Sequence, residues 1–247
     1  MENFLGKTVL ITGAGSGIGR SVAIAFAATG ASLILLGRRH DELERTADLI
    51  SQTAKSVQVI AVDVTDENAI KAIFETLGTV HIAVNAAGIV VSGAIDELDS
   101  ESFARVLNTN VFGLWLSLKH EIKTMKQSGS GVIINIGSNV GAKLVRPGMG
   151  AYAASKAAVS SLTRTAALEA IQYGIRVNCI CPGPVDTPLS YRAGEDRASR
   201  DARISATNPS KRVATTEEIA HAAVWLASDK TSYIVGQDII IDGGASI

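Results

Sequence analysis

Residues 10–19 read LITGAGSGIG, an apolar run that breaks at Thr12 into glycines at every second position, 13, 15, 17 and 19. A G-x-G-x-x-G fingerprint begun at Gly13 would need glycine at position 18, where Ile18 stands. The spacing present is T-G-x-x-x-G-x-G, carried by Gly13, Gly17 and Gly19, with Gly15 an additional glycine inside the loop. Between a strand ending at Thr12 and a helix starting near Gly17, such a turn brings backbone N–H groups and a helix N-terminus to a pyrophosphate with no side chain in the way.

Outward from this turn, short apolar runs alternate with stretches of helical period. Runs at 8–12, 32–37, 57–64, 80–88, 131–138, 175–183 and 237–244 read as strands apolar on both faces. Amphipathic stretches at 17–29, 41–53, 66–77, 101–127, 152–173 and 216–228 read as helices. The alternation predicts an α/β fold, a doubly wound parallel sheet of about seven strands with helices on both faces and right-handed crossovers. No repeat, low-complexity tract or linker divides the 247 residues, so residues 1–247 are read as a single domain.

Composition narrows the partners. Hydrophobic residues make up 47% of the chain, enough for one large core, and a formal net charge of −1 argues against nucleic acid or a membrane surface as partner. No secretory leader or apolar run of spanning length is recognised, which predicts a soluble protein of the reducing cytoplasm. Cys179 and Cys181, two apart on a strand, are expected to leave opposite faces as buried residues, forming neither a disulfide nor a metal pair. The four histidines have no metal-ligand spacing, and no metal site is predicted.

In an open doubly wound sheet the ligand lies beyond the carboxyl ends of the strands. The residues that follow the apolar runs are Gly13 to Gly19, Arg38, Asp63, Asn85 to Gly88, Ser138, and Pro182 to Thr187. Together with NAAG at 85–88, Asn110 in NTNVFG, NIGS ending at Ser138, YAASK at 152–156, PGPVDT at 182–187 and the terminal GQDIIIDGG, the turn resembles the short-chain dehydrogenase/reductase family from end to end. The resemblance implies a Rossmann-type sheet, a nicotinamide cofactor and hydride transfer to or from a carbonyl or alcohol, in the manner of 3-oxoacyl reductases. Family members more often have N-N-A-G, so Ala86 lacks one side-chain amide, and cofactor contacts there are expected from the backbone and Asn85.

Carbonyl reduction needs a proton donor within reach of the oxygen and a second donor to polarise it. Tyr152 and Lys156, four apart, share a helix face, and Lys156 is expected to lower the tyrosine pKa while holding the nicotinamide ribose. By the resemblance, Ser138 binds the substrate oxygen and Asn110 holds a water in a proton relay to Lys156. The expected cofactor cradle comprises Gly13, Gly15, Ser16, Gly17, Ile18, Gly19, Asn85, Ala86, Gly88, Pro182, Gly183, Val185 and Thr187. Asp63 and Val64 are assigned to the adenine.

A carboxylate at the end of the second strand would favour NAD(H). Gly37 stands there, followed by Arg38 and Arg39, which suits the extra phosphate of NADP(H). NAD(H) is the alternative, with the arginines then part of a solvated helix start, RRHDELER. Residues 188–212 are expected to form a substrate lid. Within 190–212, six basic residues (Arg192, Arg197, Arg200, Arg203, Lys211, Arg212) face three acidic ones (Glu195, Asp196, Asp201). That excess reads either as recruitment of an anionic substrate or as a solvated helix face. Small and apolar residues on the helices at 101–127 and 152–173 predict a homotetramer, with a dimer as the fallback. A non-catalytic cofactor sensor is the alternative to a reductase or alcohol dehydrogenase, though it would have no need of the relay.

Overall fold

The computed structural model describes residues 2–192 and 194–247; Met1, and Ala193 within the expected lid, lie outside the described residues. β1 (Thr8–Thr12) leads through the glycine turn into α1 (Gly17–Ala27). The alternation continues with β2 (Ser32–Gly37), α2 (His40–Ile50), β3 (Ser56–Ala61), α3 (Glu67–Thr76) and β4 (Ile82–Asn85). Then come α4 (Ser100–Leu107), α5 (Gly113–Ser128), β5 (Gly131–Ile136), the short turn α6 (Asn139–Ala142) and α7 (Gly150–Ala170). β6 (Ile175–Pro182), α8 (Arg197–Thr207), α9 (Thr216–Ala227) and β7 (Asp238–Ile241) complete the chain.

Among the described residues seven strands form one parallel sheet in the order β3-β2-β1-β4-β5-β6-β7. The winding reverses between β1 and β4, which opens a crevice at their carboxyl ends. Period-two alternation sorts the strand residues into two cores. Val9, Ile11, Leu33, Leu35 and Val84 pack with Phe26 of α1, Leu43 of α2 and Leu226 of α9. Leu10, Ile34, Leu36, Ala83 and Ile133 pack on the other face with Phe74 of α3, Leu118 of α5 and Ala166 of α7. Each such Leu, Ile or Phe contributes about 1.5–3 kcal/mol by leaving water, and their combined burial fixes the strand ends on which the site is built.

Three boundaries differ from the sequence reading for physical reasons. β3 stops at Ala61, opposite Gly37, because β2 ends there; one last bond, Val62 N–H to the Gly37 carbonyl at 2.8 Å, closes the ladder. The stretch 101–127 is two helices joined by a π-helical turn at Asn108–Phe112, where the Gly113 N–H reaches back five residues to the Asn108 carbonyl. Part of the expected lid is helical: Asp196 caps α8 by accepting from the Ser199 N–H at 2.8 Å.

The expectation for the cysteines is corrected. Residues two apart on a strand share a face, and the Cys179 and Cys181 sulfurs lie 3.6 Å apart, both buried. Asp238, opposite Cys179 in the β6–β7 register, brings a carboxylate to the pair, with all three potential donor atoms within 4.8 Å of one another. One oxygen of that carboxylate accepts from Arg164 at 3.2 Å. Among the described residues no helix is long and apolar enough to cross a membrane.

Candidate active site

A cleft of about 520 Å³ runs along the carboxyl ends of the strands, a volume suited to a cofactor and a small substrate. Its floor is the glycine turn. Gly13 has φ +69°, and a Cβ there would lie 2.7 Å from the Ala87 nitrogen; at Gly19 a Cβ would overlap the Gly13 carbonyl. Glycine is thus needed for α1 to sit directly against the turn. Ser16 caps α1 in extended conformation without a side-chain cap bond, so the first N–H groups of the helix are not satisfied by its hydroxyl. Arg20 braces the turn by donating to the Gly15 carbonyl, to Thr46 Oγ1 at 3.0 Å and to Glu42 Oε2 at 2.7 Å.

At the β2–β3 end, Arg38 and Arg39 line the cleft, and among the described residues neither has an ion-pair partner. Of the α2 carboxylates Glu42 lines the same cleft, and it is held by both Arg20 and Arg45, each at 2.7 Å. Asp63 accepts from the Thr65 N–H at 2.9 Å and the Thr65 hydroxyl at 2.8 Å through one oxygen, Oδ1. Val64 is packed under Gly113, where a Cβ would lie 2.7 Å from Val64 Cγ2.

At the β5–β6 end four side chains converge. Ser138 follows β5, and its hydroxyl accepts from the Val140 N–H at 3.1 Å. Its neighbour Asn139 turns away to donate to Asp242 at 3.1 Å. Tyr152 and Lys156 lie one turn apart on α7. The Lys156 ammonium is buried, 5.8 Å from the tyrosine ring centroid, and donates to the Ile136 carbonyl at 2.7 Å. Asn110, in the π turn, accepts from the Ile89 N–H at 2.8 Å and donates to the Ile89 carbonyl at 2.9 Å and to Ser155 Oγ at 3.0 Å. A Cβ on Gly88 would lie 3.3 Å from Asn110 Oδ1 and 3.6 Å from Lys156 Nζ, so this glycine leaves the gap between them open.

Burial pushes the Tyr152 phenol above its ordinary range, and a hydrogen bond with Ser138 pulls the other way. Burial also lowers the pKa of Lys156. In this arrangement Ser138 favours the phenolate, while the Lys156 ammonium donates to the Ile136 carbonyl.

The cleft is lined by Gly13, Gly15, Ser16, Gly17, Ile18, Gly19, Arg38, Arg39, Asp63, Val64, Ala86, Gly88, Ser138, Tyr152, Lys156, Pro182, Gly183, Val185 and Thr187, all named from the sequence. Asn85 and Asn110 do not line it. Asn110 sits just behind Gly88. Asn85 is corrected: its amide points into the core, donating to Glu121 at 3.0 Å and Asn135 at 3.1 Å, so it offers a cofactor no side-chain contact. Sequence reasoning missed Arg146, Met149 and Val140, which line the cleft together with Leu189 of the expected lid. No motif marks them, although Arg146 and Met149 fall between Ser138 and Tyr152, where a wall residue had to come.

Four of the lid arginines are paired with carboxylates, Arg197 with Asp186 and Asp201. Arg200, fully buried, donates to Asp186 at 2.6 Å and Asp201 at 2.8 Å, and stacks 4.5 Å from the Tyr191 ring. Arg203 grips Glu195 at 2.7 Å and Arg212 grips Glu218 at 2.6 Å.

Comparison with known proteins agrees with this geometry. The profile of the family described as Enoyl-(Acyl carrier protein) reductase matches residues 13–246. An uncharacterized oxidoreductase of Thermotoga maritima is 37% identical over 249 residues, covering 99% of both chains. A 3beta-hydroxysteroid dehydrogenase of Mediterraneibacter gnavus is 34% identical, covering 99% of this chain and 96% of its own. The crystal structure of a short-chain type dehydrogenase/reductase from Mycobacterium marinum superposes with a TM-score of 0.89 at 34% identity, covering 99% of this chain and 96% of that one. With sheet order, glycine turn and full-length relatives in agreement, this chain belongs to the short-chain dehydrogenase/reductase family and is an oxidoreductase that takes a nicotinamide cofactor and a small-molecule substrate.

Proposed function

We propose that the protein is an NADP(H)-dependent reductase of ketones, or equivalently a dehydrogenase of secondary alcohols. The observation that carries this reading is the division of one cleft into two chemically distinct ends. Arg38 and Arg39, without ion-pair partners among the described residues, stand at one end, and Ser138, Tyr152 and Lys156 stand at the other. Between them the glycine turn and the first N–H groups of α1 suit a pyrophosphate. A 2′-phosphate fits the arginines because the nearby Glu42 is already neutralised by two guanidinium groups.

When bound, the cofactor supplies or accepts the hydride. The chain's own residues handle the proton and the developing charge. Tyr152 donates the proton to the substrate oxygen, and burial keeps its hydroxyl protonated for that step. Ser138 donates a hydrogen bond to the same oxygen as negative charge builds on it. Lys156 holds the ribose end, and Asn110, through the irregular backbone of the π turn, supports a proton path behind Gly88.

The Mediterraneibacter gnavus relative is named for dehydrogenation of a hydroxysteroid, a secondary alcohol, which supports the substrate class. We further propose a cytoplasmic homotetramer. Supporting this are two buried free thiols and the exposed Phe103 of α4, Phe112 of the π turn and Trp115 of α5. The test is a thermal-shift titration with NADPH and NADH, followed by a panel of neutral ketones monitored by NADPH absorbance. A larger shift with NADPH and turnover of at least one ketone are expected; equal kcat/KM with both cofactors would reject the NADP(H) preference, and binding without turnover of any ketone would reject the reductase.

A further inference from the structure

The excess of basic residues in the lid points, by composition, to an anionic substrate, but the geometry moves that role elsewhere. Arg200, Arg203 and Arg212 each hold a carboxylate, Arg197 sits between Asp186 and Asp201, and Arg192 and Lys211, which have no ion pair among the described residues, do not line the cleft. Arg146 is different. It lies on the loop between α6 and α7, whose turn is closed by the Met149 N–H donating to the Arg146 carbonyl at 3.1 Å. Arg146 is exposed and lines the cleft, its loop leads directly into α7, which carries Tyr152, and among the described residues it has neither an ion-pair nor a side-chain hydrogen-bond partner.

The surroundings set the chemistry of what it would hold. Val140, Met149, Leu189 and Ile204 give this end of the cleft apolar walls. Val145, the residue preceding Arg146, is 78% exposed. Arg38 and Arg39 cannot serve the same group, because β2 is three strands from β5, about 14 Å at the usual strand spacing. One guanidinium presents parallel N–H donors that match a carboxylate, and apolar walls accept a hydrocarbon body.

Resting on the ketone-reductase reading above, we infer that Arg146 anchors a carboxylate on the substrate, so that the enzyme prefers amphipathic oxo acids to neutral ketones. The reacting carbonyl sits at Tyr152 and Ser138, the hydrocarbon along the apolar walls, and the carboxylate at Arg146 near the mouth.

The experiment starts from the neutral ketone that the panel turns over fastest and compares two derivatives, one ending in a carboxylate and the other in its methyl ester. Wild type is expected to show higher kcat/KM for the carboxylate, and Arg146→Gln is expected to lower the carboxylate-to-ester ratio by roughly ten-fold, with Arg146→Lys recovering part of it. The wild-type ratio should also fall as salt rises. An equal fall for both derivatives in Arg146→Gln, or a wild-type ratio at or below one, overturns the inference while the neutral ketone still reports an intact reductase. Failure of every neutral ketone overturns the reductase reading itself, and the inference with it.

Discussion

Burial that raises the Tyr152 pKa decides how the two reaction directions respond to pH. Ketone reduction needs the protonated phenol, so its kcat/KM should hold through neutrality and fall only on the alkaline side. Alcohol oxidation needs the phenolate and should rise with pH over the same range. Ser138→Ala removes the contact that favours the phenolate, so both limbs should move to higher pH, which a pair of pH–rate profiles would show. Tyr152→Phe should lower kcat by about 10²- to 10⁴-fold in either direction without changing the fold, as circular dichroism would confirm. At the other end of the cleft, Arg38→Gln should reduce the NADPH-over-NADH preference by roughly 10- to 150-fold, the range for loss of a charge-assisted hydrogen bond. Adding Gly37→Asp should carry the enzyme toward NADH; its Cβ would meet Leu43 Cδ2 at 3.3 Å, so that methyl must give slightly. These residues were legible in the sequence because each sits at the end of an apolar run or in a spaced motif. The direction of Asn85 was misread, although parity carries it: Asn85 shares a face with Ala83, which packs in the α3–α5–α7 core.

Elements carry a different kind of sensitivity. A methyl group on Gly19 would strike the Gly13 carbonyl, so Gly19→Ala must lift α1 from the turn. The expected result is about 1–3 kcal/mol lost in denaturant unfolding together with much weaker NADPH binding. Behind the sheet, Glu121 of α5 is fully buried against Asn85 of β4, and burial raises its pKa to about 7. Its folded pKa thus lies above the ordinary value of 4.5. Between those values the folded chain keeps a proton that the unfolded chain has released, so stability is greatest below about pH 4.5 as far as this group is concerned and falls as pH rises toward 7, by about 3 kcal/mol. Glu121→Gln retains an acceptor for Asn85 and should flatten that slope when unfolding free energies are compared at acidic and neutral pH. Helical and strand periods were readable along the chain, but a five-residue π turn inside a helix leaves the apolar pattern almost unaltered. The break at Asn108–Phe112 therefore emerges only from the backbone.

Across the whole molecule, a parallel sheet of seven strands with helices on both faces followed from the alternation of runs, while the strand order and the state of the lid did not. Counting charges within 190–212 suggested a cationic segment, yet Asp186 and Glu218, which neutralise Arg200 and Arg212, lie outside that window. Ion pairs of this kind are set by folding distance, and no count along the chain recovers them. Assembly belongs to the same scale. Phe112 and Trp115 stack with ring centroids 5.9 Å apart while remaining 38% and 41% exposed, so Trp115→Glu should shift sedimentation at micromolar concentration from the proposed tetramer toward smaller species. A wild-type protein that sediments only as monomer would refute the tetramer.

The free guanidinium groups of Arg38 and Arg39 also bear on speed. The chain as a whole carries a formal charge of −1, so its net field does little to draw in an anion. A local cationic rim on a low-dielectric cleft focuses field lines and captures polyanions from solution well before contact. The association rate of NADPH should therefore drop steeply with ionic strength in stopped-flow fluorescence, while that of NADH, lacking the extra phosphate, drops less. Encounter, as well as affinity, would then sort the two cofactors.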